Sequence, residues 1–185
     1  MNKNEVAELF TAMHPDFFER ESIRCVAEDM IFEEMVLSLE EFDAHCYEKP
    51  LGENITFGYY SGEFAELLKA VEKVEWYWTE IFSEEQRVYC GYVDGKLASF
   101  CIVEDMGVHS VGGRKIKVGG PGCVGTVPEY RHSGIGLTMV KNVTQILKAE
   151  GYDYSYIHYT AVAPWYEKLG YKTILKWCSR GIIPD

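Results

Sequence analysis

A chain of 185 residues with 47% hydrophobic and 25% charged residues is long enough for one domain with a real core and too apolar to stay disordered. Its formal net charge of -11 leaves no basic face for nucleic acid, and no run of about 18 apolar residues offers a membrane span. The N-terminus turns acidic at Glu5 and Glu8 without an apolar leader segment, so the expected compartment is cytoplasmic.

The first part of the chain, residues 1–52, is expected to form an acidic helical extension. Apolar residues recur there at near-helical spacing (Val26, Met30, Met35; Phe32, Val36, Leu39), and Lys49-Pro-Leu-Gly52 ends it. Such helices would cap the rest of the molecule; completing an acceptor pocket or a homodimer contact are the other readings. Residues 53–185 then form the main domain. A short strand is expected at Ile55–Tyr60, followed by a helix over Glu63–Lys73 capped by Ser61 and a short helix around Trp76–Phe82. Trp76, Tyr77 and Trp78 would pack in the core or line a pocket for a cationic amine. Arg87–Val93 and Lys96–Val103 flank Asp94-Gly95, a strong two-residue hairpin signal. A looser loop is expected at Val108–Gly113, then a strand from Lys115 interrupted by Gly119-Gly-Pro-Gly122 and resuming as Cys123–Val127. A helix opens near Gly134 and stops at Gly151; Tyr154–Tyr159 is a strand, Pro164–Leu169 a short helix, and Tyr171–Trp177 the last strand. This order predicts a mixed α/β fold.

Six cysteines are present, none in a Cys-x-x-Cys pair, so the reading is buried free thiols and no metal site.

Chemistry concentrates in Val124–Leu137. A strand stops, the chain turns, and a helix opens on Gly134-Ile-Gly136. The first helical turn carries N–H groups without internal partners and the positive end of the dipole. Two glycines let those amides approach an anion, and Arg131 adds a fixed positive charge: the parts of a pyrophosphate cradle. No Gly-Lys-Ser/Thr follows, as a nucleotide P-loop requires, and Met139 stands where a dinucleotide motif needs its third glycine.

The run Val127-Pro-Glu-Tyr-Arg-His-Ser-Gly-Ile-Gly136, with Trp165-Tyr-Glu-Lys-Leu-Gly-Tyr171 after it, closely resembles the GNAT superfamily of N-acyltransferases over roughly residues 55–178. The resemblance implies a mixed sheet splayed between the fourth and fifth strands of the main domain, with acetyl-CoA inserted in the gap. The backbone of Val124, Gly125 and Thr126 would bond the pantetheine arm. Arg131 and the amides of His132, Ser133, Gly134, Ile135, Gly136 and Leu137 would hold the pyrophosphate. Tyr166 would protonate the departing thiolate. The sequence departs from the family at Tyr159, where many members carry an asparagine. The base that frees the attacking amine stays open among Glu104, Asp105, His109 and His158. The activity implied is acetyl transfer from acetyl-CoA to a primary amine, on a small molecule or a peptide. A non-catalytic acyl-CoA-binding module and an enzyme for longer acyl-CoA are the alternatives.

Overall fold

The structure, a computed structural model, describes residues 1–184. Its centre is an eight-stranded sheet: β1 (Phe32–Ser38), β2 (Ile55–Tyr59), β3 (Val88–Val93), β4 (Lys96–Val111), β5 (Arg114–Thr126), β6 (Tyr154–Thr160), β7 (Lys172–Cys178) and β8 (Gly181–Ile183). The order across it is β2-β3-β4-β5-β6-β1-β7-β8, with every recorded pair antiparallel except β5 and β6. This is the mixed α/β architecture expected. The helices are α1 (Lys3–Met13), α2 (Glu21–Arg24), α3 (Phe64–Glu72), α4 (Ile135–Ala149) and α5 (Ala163–Tyr166).

The helical expectation fails over residues 32–38, which form β1 between β6 and β7. Glu34, Met35, Val36 and Leu37 are all buried. Met35 and Leu37 join the core under α4, whereas Val36 joins the core under α1. A strand covered on both faces reads as a continuous apolar run, and that run coincides with helical spacing. Helical character is confined to α1, which is capped by Asn2 and Glu5 in a reciprocal box, and to short turns after it.

Two hairpins of the sheet close through two residues of positive φ. Asp94 (φ 49°) and Gly95 (φ 74°) join β3 to β4, as the sequence signals. Gly112 (φ 55°) and Gly113 (φ 75°) do the same for β4 and β5, so the expected loop at 108–113 is a tight turn between long strands. Strand β5 also runs unbroken through Gly119–Gly122. A Cβ on Gly119 would meet the Glu104 carbonyl and the Tyr152 ring, and one on Gly120 would strike the Tyr156 carbonyl. The glycines let neighbouring backbone close in rather than interrupt the strand. The irregularity falls at the next residue: the β4–β5 register shifts between Phe100 and Ile102, and Cys123 takes φ 46°, a β-bulge. Helix α3 has Glu63, not Ser61, at its N-cap, and residues 76–80 form a single 3-10 turn with Trp76 and Tyr77 exposed.

Helices α4 and α5 cover one face of the sheet. Met139, Val143 and Leu147 of α4 are fully buried there against Cys101, Val103 and Ile157. Helices α1 and α3 cover the other face, in two clusters around Leu9, Tyr156 and Val118 and around Leu67, Val71 and Phe100. Cys90, Cys101 and Cys178 are buried free thiols, but Cys25 and Cys46 are exposed, because the turns that carry them lie outside both cores.

Candidate active site

Strands β5 and β6 pair only at Val118–Tyr154 and Gly119–Ser155, then part. They are the fourth and fifth strands of residues 53–185, the pair at which the family resemblance implied a splay. A cavity of about 600 Å³ opens at this gap, over the N-terminus of α4. Val124, Thr126, Arg131, His132, Ser133, Gly134, Ile135, Gly136, Leu137 and Tyr166 all line it. Gly125 does not. It pairs with Phe100 of β4, and a Cβ there would overlap the Phe100 ring, so its glycine serves the packing of the opposite face.

The turn into α4 has the form of an anion cradle. His132 (φ 65°) and Gly134 (φ 94°) adopt left-handed backbone on either side of Ser133. The Ser133 hydroxyl donates to the Tyr130 carbonyl at 2.7 Å and accepts from the Ile135 amide at 3.3 Å. The first helical bond runs from the Thr138 amide to the Gly134 carbonyl at 3.1 Å, so the amides of Gly136 and Leu137 precede the ladder. A Cβ on Gly136 would crowd Thr126 Oγ1 and approach the Trp165 ring; one on Gly134 would strike the Lys49 side chain. Arg131 Nε donates to the Thr126 carbonyl at 3.1 Å, which fixes the guanidinium beside the cavity.

Six residues of the wall were not among the expected site residues: Tyr47, Lys49, Tyr130, Val162, Trp165 and Lys168. Lys49 Nζ donates to the His132 carbonyl at 3.1 Å, and Lys141 Nζ donates to the Tyr47 carbonyl at 3.0 Å. With Arg131, the wall holds three cations and, among the described residues, no carboxylate, in a chain of net charge -11. No local pattern marks Lys49; it reaches the loop only through the fold.

Tyr166 is buried on α5, edge-on to Trp165 at 4.8 Å and to Tyr171 at 5.9 Å between ring centroids. Burial, with Tyr171 and Cys101 nearby, pushes its hydroxyl well above the ordinary phenol range, so it carries its proton at neutral pH. Cys123 lies beside the same gap, and its thiol is pushed up to about 12 by burial and by Glu104, which makes it inert as a nucleophile.

The four candidate bases do not come together. Asp105 is exposed and accepts from the Gly107 amide, and His109 Nε2 bonds the Met106 carbonyl at 2.7 Å, so both serve the β4 bulge. Glu104 and His158 share the α1 face of the sheet. The Glu104 carboxylate occupies the space over Gly122 that a Cβ would fill. Burial raises its pKa, and nearby His158 opposes that rise. His158 Nδ1 lies 2.8 Å from Oε2 of the fully buried Glu34, and its ring stacks on His14 at 4.1 Å and 17°. Ligand atoms of His14, Glu34 and His158 fall within 4.8 Å of one another. Because the two rings are nearly parallel, their in-plane nitrogen lone pairs lie in separate layers and do not meet at a common point. Tyr159 takes φ 60° at a bulge of β6, its amide donating to Glu34 Oε1 at 3.2 Å and its ring edge-on to Phe32 at 4.3 Å.

No helix among the described residues is long and apolar enough to cross a membrane. No curated protein matches the sequence. Similar folds recur among solved structures. One is a GCN5-related glucosamine N-acetyltransferase region of a fungal multi-domain GH3 β-N-acetylglucosaminidase, with TM-score 0.65 and 20% identity over 80% of this chain and 20% of that one. Another is a GCN5-related N-acetyltransferase from Kribbella flavida, with TM-score 0.54 and 14% identity over 82% and 57%. A third, from Sphaerobacter thermophilus, has TM-score 0.53 and 17% identity over 77% and 48%. The chain therefore spans from a fifth to under three-fifths of the lengths of these proteins. At such identities the likeness is one of fold. A family model described as an acetyltransferase (GNAT) domain matches residues 62–174, more than half of the sequence, and runs through the splay, the anion cradle and α5. The chain belongs to the GNAT acetyltransferase domain family.

Proposed function

We propose that the protein transfers an acetyl group from acetyl-CoA to a primary amine by direct attack. The observation that carries this reading is the cavity at the β5–β6 splay: three cations and the free amides of α4 at one part of its wall, and a protonated, buried Tyr166 at another. The residues fit the cosubstrate. The cradle at Gly134 and Gly136 has room only because neither residue has a Cβ. Lys49, Arg131, Lys168 and the amides before Thr138 offer the diphosphate fixed positive charge and donors. Beyond Gly119 the inner edge of β5 has no partner strand, so Val124 and Thr126 can pair with the amide-bearing pantetheine as a strand would. Tyr166, poised with its proton, supplies the acid that thiolate departure calls for. Holding amine and thioester in line supplies much of the remaining rate.

Calorimetric titration of acetyl-CoA into the wild-type protein and into Gly134→Glu tests the foundation. The expected result is micromolar binding that the variant loses while its circular dichroism is unchanged, since the new side chain brings bulk and negative charge against Lys49 at a left-handed position. Absence of binding to the wild-type protein would remove the reading. The acceptor class, a small cationic amine in preference to a peptide, follows from the acidic balance of the chain.

A further inference from the structure

The gap between β5 and β6 has side chains on both faces of the sheet. Tyr166 reaches it from the α4–α5 face, and the cavity opens there. On the other face, alternation along β6 places His158 with Tyr156, and alternation along β4 places Glu104 with Phe100 and Ile102. Carrying the β5–β6 register past its last pair would set Gly122, under the Glu104 carboxylate, opposite His158. His158, part-exposed and close enough to Glu104 to act on its charge, therefore stands beside Gly122 on the α1 face of the gap.

What distinguishes His158 is how firmly it is held. Glu34 is fully buried in the strand next to β6. Its Oε2 faces His158 Nδ1, while its Oε1 accepts from Trp177 Nε1 at 2.7 Å and from the Tyr159 amide at 3.2 Å. An isolated carboxylate in that aromatic surround would be costly, and these donors offset the cost. The arrangement keeps the proton on Nδ1 and leaves the Nε2 lone pair free. His158 Nε2 makes no hydrogen bond among the described residues, and 28% of the side chain is exposed. The ring is confined by His14 on one face and by Phe17, edge-on at 5.5 Å. The titratable groups facing it are His14 from the end of α1, Glu34 from β1 and Glu104 from β4.

We propose that His158 is the base that takes the proton from the acceptor amine, with Glu34 as its positioning residue. The inference rests on the transfer reading above and adds the group that reading leaves unassigned. The acceptor ammonium first gives a proton to His158 Nε2, and the neutral nitrogen then bonds to the thioester carbon. The carbon–sulfur bond then breaks, Tyr166 gives its proton to the departing sulfur, and the second proton shed by the nitrogen restores Tyr166 through solvent. The proton on His158 leaves to solvent through its exposed edge.

The test uses two small primary amines with acetyl-CoA, read by release of free thiol. Propylamine is an ammonium ion at neutral pH and must lose a proton before attack, whereas methoxyamine is already neutral there. His158→Gln is expected to slow propylamine turnover roughly 100-fold and to leave methoxyamine turnover little changed. Glu34→Gln, which keeps the shape but not the carboxylate that orients the His158 ring, is expected to slow propylamine turnover roughly 10-fold and likewise to leave methoxyamine turnover little changed. That selective loss carries the test even where His158→Gln fails to fold. Equal losses with both amines in either variant would show a purely structural role and overturn the proposal. So would a selective propylamine defect in Glu104→Gln with His158→Gln near wild type, which would hand the proton to Glu104. A wild-type protein that binds acetyl-CoA yet acetylates neither amine would sink the transfer reading itself and the assignment with it.

Discussion

Lys49 Nζ donates to the carbonyl of His132 at 3.1 Å, across 83 positions of sequence. The contact ties the segment before β2 to the turn that opens α4, and it sets a cation at the cavity wall beside Arg131. Lys49→Ala is expected to weaken acetyl-CoA binding about 10-fold, or ~1.4 kcal/mol, with the loss shrinking as salt is raised. Calorimetry at low and high ionic strength checks both parts.

Tyr166→Phe removes the hydroxyl and keeps the ring that packs against Trp165 and Tyr171. The expected outcome is a fall in kcat of roughly 100-fold with acetyl-CoA affinity unchanged, since the proton transfer belongs to the transition state. An unchanged kcat would free Tyr166 from the acid role.

Gly120 lies just past the last β5–β6 pair, its missing Cβ giving room to the Tyr156 carbonyl. Gly120→Ala forces backbone against backbone, where no side chain can yield. Destabilisation of about 1–3 kcal/mol is expected, measurable by urea unfolding. The same substitution at Gly58, where a Cβ meets nothing within 4 Å, should cost far less.

His14 carries a pH dependence of stability. Burial, followed by the neighbouring His158 and Arg20, lowers its pKa to about 3, while the unfolded chain titrates near 6.5. The folded-state value lies below the unfolded one, so the unfolded chain takes up a proton that the folded protein refuses. The contribution is fully present above about pH 6.5 and is lost as pH falls toward 3. The expected loss is on the order of 1–2 kcal/mol by pH 5, and His14→Phe should flatten that part of the curve. Parallel curves for the two proteins would refute the assignment.

Much of the site was legible because its chemistry is backbone chemistry. Gly134 and Gly136 mark places where a side chain cannot be tolerated, and Asp94-Gly95 marks a turn that needs two positive φ angles; such demands are local and so leave a local trace. The error over residues 32–38 has the opposite origin. Glu34, Met35, Val36 and Leu37 are buried on two faces by elements far away in the chain, and nothing within the segment tells a doubly covered strand from a helix. Gly119–Gly122 was read as an interruption for a related reason: the groups that crowd it, the Glu104 carbonyl and the Tyr156 carbonyl, belong to other strands.

By itself the sequence determined the mixed α/β class, the hairpin at Asp94-Gly95 and the strand–turn–helix around Arg131, all of them set by the conformational needs of neighbouring residues, while Tyr166 was singled out by the family resemblance alone. Only the tertiary structure decided that Phe32–Ser38 completes the sheet, that Lys49 joins the cavity and that Glu34 holds His158. Those relationships depend on which strands lie side by side. Strand order is settled by the burial of both sheet faces together, a property of the whole chain that no short stretch of it carries.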